Sequence, residues 1–469
     1  MVIWNASTTW WVWNASAPGA VGAILANSLL MCIPWLGFHT VKKRMGDTAG
    51  YISLVLFWLS FEYIHLSNWG LSWPWLTLGN VFASSPGWVQ WYSFTGVSGG
   101  GLWILATNIL LFRLLWKKAY HKKTDKRLGA SFLAVLVLPF LLSLICGFHI
   151  PTKGGNQIVI IQPNIDPYEK LSVGSFDAQL HKLIRLSDSA IDDNTALVVW
   201  PETALYNERG FIEDSLKQNF FLNPLWDFLH RHPRINLLSG LESVRLFREK
   251  HSPSASPIPN SDKYYESYNS AVLFDSTGPF AFYHKSRLVP GVETLPPFLH
   301  ILDSWFEKLG GTSTGYTPQN ERAVMNTTNH SYHIAPSVCY ESIYGEFMSR
   351  YVRNGADIIA IITNDGWWGN TPGYSQHESY ARLRAIETRR WVIRSANTGV
   401  SCIIDPYGAI TESRPWMETA VITARVPTTS SLTFYTRYGD CISKLALALT
   451  ILFLAWNIIT MIKTRYSRG

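Results

Sequence analysis

The chain has 469 residues, 47% of them hydrophobic, with 21 Trp, 21 Tyr and 23 Phe, and only 16% of them charged. Soluble domains carry about 25% charged residues, so the composition calls for membrane spans beside one sizeable soluble core. A net charge of +7 could suggest nucleic acid, but the basic residues sit beside apolar runs (Lys42-Lys43-Arg44, Lys117-Lys118, His121-Lys122-Lys123, Lys126-Arg127 and Lys463 to Arg468). That placement reads as membrane topology rather than a nucleic-acid footprint, so no nucleic-acid partner is expected.

Four apolar stretches come first, at about 19–41, 50–67, 96–116 and 128–149, and a fifth, about 442–462, closes the chain. Each is near the ~20 residues that cross a hydrocarbon core as a helix, although 50–67 is short and carries Glu62 and His65. If the basic clusters mark the cytoplasmic side, all of them agree on one topology, with residues 151–440 outside the cytoplasm. The Trp-rich segments Trp10 to Trp13 and Trp69 to Trp91 then fall on the outer side, as interfacial aromatic belts would. Met1 opens into the outer Trp-rich segment without a signal peptide, which leads us to expect that upstream helices are absent from this chain.

Residues 151–440 read as one α/β domain. Ile158–Ile161, Ala196–Trp200, Asn236–Leu238 and Ile358–Ile362 are short β-branched or apolar runs of the kind that form buried strands. Segments 176–192 and 376–394 have helical periodicity, and 251–262, rich in Ser and Pro, is a loop.

Of the five cysteines, Cys32, Cys146 and Cys441 lie in or beside apolar runs and Cys402 in a strand-like segment. They form no C-x-x-C pair and have no His at zinc spacing, so no metal site is expected. Cys339 differs. It follows Pro336-Ser337-Val338 and precedes Tyr340-Glu341, which places a thiol at a strand-end turn beside an acid. Two other strand ends carry chemistry: Val198-Val199-Trp200-Pro201-Glu202 and Tyr283-His284-Lys285-Ser286-Arg287-Leu288-Val289-Pro290-Gly291-Val292-Glu293. Singly, Glu202 could cap a helix, Lys285 could be a surface charge and Cys339 could pack in a core.

Together these motifs resemble the nitrilase (carbon–nitrogen hydrolase) superfamily, in which a Glu, a Lys and a Cys appear in this order with a second Glu eight residues after the Lys. The flanking spans make the chain similar to the apolipoprotein N-acyltransferases. So do Asn364-Asp365-Gly366-Trp367-Trp368-Gly369, Gln376-His377, Ala381 to Glu387, Arg394 to Val400 and Trp73-Pro74-Trp75-Leu76. The resemblance implies a membrane helical bundle (1–150) and an α-β-β-α sandwich (151–440) inserted before a last transmembrane helix (441–469). It implies Glu202 as acid and base, Lys285 as oxyanion cation and Cys339 as nucleophile. Glu293, Glu341 and Tyr340 would support them, and Trp367 and Trp368 would line an apolar mouth or pack a loop core.

The implied reaction takes an acyl chain from a phospholipid onto Cys339 and passes it to the α-amine of a diacylated apolipoprotein. It needs membrane lipids, no cofactor and no second subunit, in the inner membrane with the catalytic domain on the periplasmic side. The family usually has about three more spans, and Leu171 stands where the family has a Trp. Two rivals remain: a membrane-tethered amidase using the same triad, and a binding protein without catalysis.

Overall fold

The computed structural model describes the chain except Asn68, 122–124, 148–153, 168–175, Glu208, His251, 295–314 and 467–469. Leu171 and its neighbours therefore lie outside the described residues. Helix Ala17–His65 contains the first two apolar stretches and is broken at Gly46, whose φ of 84° only glycine adopts readily. A Cβ added at Gly50 would meet Lys42, and one at Gly37 would meet Phe57, so the two arms pack antiparallel around that turn. Helices Val97–His121, Lys126–Cys146 and Cys441–Tyr466 follow the other three stretches. Among the described residues, three helices are long and apolar enough to cross a membrane, and the last is apolar over Cys441–Asn457. Only 11% of the most apolar window of Lys126–Cys146 is buried, so that helix presents Leu133, Leu138, Leu144 and Ile145 outward to lipid.

Two sheets fill the region between Asn156 and Val426. In the first, β1 (Asn156–Gln162), β2 (Thr195–Val199) and β4 (Asn236–Phe247) run parallel. β3 (Phe211–Ile212), β5 (Ser256–Pro257), β6 (Tyr264–Asp275), β7 (Gly278–His284) and β14 (Ala420–Val426) complete it. The second holds β8 (Met325–Asn326), β9 (His333–Val338), β10 (Ile358–Thr363), β11 (Trp391–Ala396), β12 (Ser401–Ile404) and β13 (Ile410–Arg414), with β9, β10 and β11 parallel.

Alternation sorts the core. Ile158, Ile160, Leu197 and Val199 share one apolar cluster with the second sheet. Val159, Ile161, Val198 and Trp200 share the other with helices Phe176–Asp188 and Asn223–Arg231. Helices Gly345–Arg353 and Pro372–Thr388 cover the second sheet, which completes an α-β-β-α sandwich. The helical segment expected over 376–394 stops sooner. Arg389 turns left-handed at φ 52°, and the β-branched run after it enters the sheet as β11.

Candidate active site

The C-terminal ends of the parallel strands of both sheets converge on one place. After β2, Pro201 leads into Glu202, while Gly240 of β4 passes so close that a Cβ there would lie 2.3 Å from the Thr203 nitrogen. Glu202 is buried, and its Oε1 accepts from Asn269 Nδ2 at 2.8 Å and Lys285 Nζ at 3.3 Å. Its Oε2 accepts from the Asn364 N–H at 3.0 Å. Lys285 follows β7 directly and is 1% exposed; its ammonium also donates to Glu293 Oε1 at 2.7 Å. Burial alone would discharge that ammonium, but the carboxylates of Glu293 and Glu202 outweigh it and hold the pKa well above the ordinary lysine value. Glu293 is fixed in turn by the Val289 N–H at 2.8 Å.

Cys339 directly follows β9 and opens a short turn, Cys339–Ile343, at φ 52°. Burial pushes its thiol up, the Glu202 charge adds to this, and Lys285 opposes both. The resting nucleophile is thus the protonated thiol, and attack requires a base at hand. Glu341 lies beneath the turn. Its carboxylate accepts from Tyr283 Oη and the Ser286 N–H, both at 2.6 Å, from the Arg287 N–H at 3.1 Å and from the Val338 N–H at 2.8 Å. Burial raises its pKa, and those donors hold the charged form against it. Glu341 therefore ties the lysine segment to the cysteine turn.

A second buried network, drawn from the motifs around Asp365, His377 and Arg394, holds the turn from behind. The Cys339 carbonyl lies 2.9 Å from Ser342 Oγ and 3.1 Å from His377 Nε2. His377 Nδ1 is 3.0 Å from Asp365 Oδ1, and Arg394 donates to Asp365 Oδ2 at 2.6 Å. Burial works against a charge on Asp365, yet Arg394 and His377 hold its pKa well below the usual carboxylate range. Cys339, Asp365 and His377 bring potential ligand atoms within 4.8 Å of one another. The Asp365 oxygens are committed to Arg394, His377 and Thr363, and a guanidinium already stands in the cluster, so the arrangement suits a hydrogen-bond chain better than a cation.

The membrane half reaches the site through aromatic side chains. Trp73 stacks on Tyr340 with ring centres 6.1 Å apart, and Tyr340 Oη donates to the Ser72 carbonyl at 3.1 Å. Trp75 and Trp11 are fully buried, and their indole N–H groups both donate to Gln376 Oε1, at 2.7 and 3.2 Å. Trp368 packs 4.8 Å from Trp11 and 5.6 Å from Trp75, while Trp367 is half-buried. The Trp-rich segments therefore divide. Trp10, Trp13, Trp69 and Trp88 are exposed as a belt requires, whereas Trp11, Trp75 and Trp91 are core. Glu202, Lys285, Glu293, Cys339, Tyr340 and Glu341 thus lie in one connected site. Asn269, Asn364 and His377 join it through contacts between distant segments.

Residues 158–432 match the carbon-nitrogen hydrolase family, and residues 1–110 match the N-terminal domain of apolipoprotein N-acyltransferase. The apolipoprotein N-acyltransferase of Chlorobaculum tepidum is 30% identical over 96% of this chain and 84% of its own length. The chain belongs to the apolipoprotein N-acyltransferase family. The Azotobacter vinelandii apolipoprotein N-acyltransferase is 28% identical over 95% of this chain and 80% of its own. Among solved structures, a carbon-nitrogen hydrolase from Helicobacter pylori covers 58% of this chain and 89% of its own, with 15% identity and a TM-score of 0.41. As in other apolipoprotein N-acyltransferases that match along nearly the whole chain, the similarity runs through the membrane part as well as the sandwich.

Proposed function

We propose that this membrane enzyme moves an acyl chain from a phospholipid, through a thioester on Cys339, to the N-terminal amine of the diacylglyceryl-cysteine of an apolipoprotein. The single observation that carries the mechanism is Glu202 and Lys285 hydrogen-bonded to each other beside a buried thiol. Glu202 takes the thiol proton as sulfur attacks the ester carbonyl. The oxygen that becomes negative is met by the Lys285 ammonium and the Tyr340 N–H. Collapse breaks the ester C–O bond, Glu202 returns the proton to the leaving oxygen, and a lysophospholipid departs. The acceptor amine then attacks the thioester, loses its proton to Glu202, and releases the Cys339 sulfur, which is reprotonated. Glu293 and Glu341 orient Lys285 and the turn. In this reading the site faces the outer surface of the inner membrane, where both lipid-anchored substrates arrive by lateral diffusion.

The test withholds the acceptor. Purified protein with phospholipid alone should gain one acyl mass on the peptide containing Cys339, removable by hydroxylamine and absent in Cys339→Ala. Modification at Cys402 instead, or transfer without any acyl-enzyme, would overturn the mechanism. Release of free fatty acid in place of acylated lipopeptide would identify a hydrolase.

A further inference from the structure

The helix Gly345–Arg353 that follows the nucleophile turn carries Glu346, Arg350 and Arg353 beside Arg322 and Asn354, and these five line an open cleft of about 450 Å³. Three guanidiniums face one carboxylate there. That carboxylate is already engaged: Glu346 Oε1 binds Lys444 Nζ at 2.9 Å and lies 3.6 Å from Arg350. A fourth guanidinium adjoins the group. Arg322 and Arg287 lie over the Phe347 ring at 4.2 and 5.4 Å, and the Nε atoms of both are buried without a hydrogen-bond partner among the described residues. Burial and then the nearness of Arg322 lower the pKa of Arg287, as expected where buried cations stand close together. Such a cluster is stabilised by an anion that several planar donors can share.

Its position selects the anion. Lys444 lies in the first turn of helix Cys441–Tyr466, and Arg287 reaches toward the Ser67 carbonyl, 3.5 Å away, just beyond the end of helix Ala17–His65. The cleft therefore sits at the rim where two apolar helices leave the membrane, and Arg287 is two residues from Lys285. We propose that this basic cleft binds the phosphate of the donor phospholipid's headgroup at the membrane–water boundary. The assignment of the bound lipid as donor rests on the acyl-transfer reading above.

The test uses the full-length protein in detergent with Arg350→Gln, whose side chain is half exposed and carries little of the fold, and with Arg322→Gln/Arg350→Gln. Native mass spectrometry should show the unsubstituted protein retaining a short-chain phosphatidylglycerol over the matching diacylglycerol, with millimolar inorganic phosphate failing to displace the lipid. Each variant should lose that preference. In the acyl-enzyme assay, the donor KM of the double variant should rise about tenfold, the loss expected when charge-assisted contacts go, with kcat falling far less. Equal retention of both lipids by every form, or displacement by inorganic phosphate, would refute the headgroup site. If the lipid preference appears but no acyl-enzyme forms in the unsubstituted protein, the headgroup site stands and the acyl-transfer reading falls.

Discussion

Cys339 holds a left-handed backbone conformation that costs a non-glycine residue about 1–3 kcal/mol and persists only where the surroundings enforce it. Ser342 and His377 hold its carbonyl. Because the peptide bond is planar and trans, fixing that carbonyl aims the Tyr340 N–H the opposite way, toward the developing oxyanion. His377 is thus a positioning residue, and His377→Ala should lower kcat about 10²-fold or more, as loss of one oxyanion donor does. KM should change little, and His377→Gln, which can still donate to the carbonyl, should recover part of kcat. A rise in KM with kcat intact would refute the positioning role. The charges around the thiol make a second prediction. The Glu202 carboxylate raises the Cys339 pKa and Lys285 lowers it. Glu202→Gln should therefore speed alkylation of Cys339 by iodoacetamide at pH ~8, near the usual thiol pKa, and Lys285→Met should slow it. Both should abolish acyl transfer, which separates thiolate supply from catalysis. Opposite changes in alkylation would reverse the electrostatic assignment.

At the scale of elements, the loop from Trp73 to Leu78 joins the membrane half to the nucleophile turn, and two polar residues of an apolar helix hold it. Glu62 Oε1 accepts from the Leu78 N–H at 2.7 Å and from Trp58 Nε1 at 3.1 Å, and His65 Nε2 accepts from the Trp73 N–H at 2.8 Å. Polar groups at membrane depth are expensive and mark function; here they anchor the loop on which Tyr340 rests. Glu62→Leu leaves two donors without an acceptor, at about 1–3 kcal/mol each. It should lower transfer and expose the 66–78 segment to protease, whereas Glu62→Gln, which keeps an acceptor oxygen, should do neither. Equal behaviour of the two variants would mean the anchor is dispensable. The sequence displayed these elements unequally. Glu202, Lys285 and Cys339 were legible because each ends or follows a strand of strong β pattern, so local order reports their place. Asn269 was not, because it lies inside β6 with no motif around it, and Asn364 and His377 stood out only as parts of motifs, their contacts with Glu202 and the Cys339 carbonyl arising between distant segments. Trp11 and Trp75 resembled interfacial tryptophans because composition does not distinguish an indole facing lipid from one donating to Gln376.

For the whole molecule, five helix ends meet the sandwich side. Asn14, just before helix Ala17–His65, donates to the Trp368 carbonyl at 2.9 Å, and the far end of that helix holds the Trp73 loop. The Val97 N–H donates to Glu387 at 3.2 Å, Arg389 donates to the Cys146 carbonyl at 3.1 Å, and Lys444 pairs with Glu346. The opposite ends carry Lys42 to Arg44 beside the Gly46 turn, and Lys117, Lys118, Lys126 and Arg127 around the second reversal. The 21 residues of Lys126–Cys146 rise about 30 Å at ~1.5 Å per residue, the thickness of a hydrocarbon core. These basic residues stand at the far ends of the apolar helices from the sandwich, and we propose that one plane of lipid lies between them, the arrangement that the agreement among clusters led us to expect. On the positive-inside rule we propose that the sandwich lies outside the cytoplasm. Single cysteines test this without truncating the chain. Ser261 lies in an exposed loop of the sandwich and Asp47 at the exposed Gly46 turn, where it forms a surface ion pair with Lys42, worth little. In intact spheroplasts a membrane-impermeant maleimide should label Ser261→Cys above the level of the unsubstituted protein. It should label Asp47→Cys only after the membrane is permeabilised. Labelling of Asp47→Cys in sealed spheroplasts with protection of Ser261→Cys would invert the protein, and the catalytic site would then face the cytoplasm.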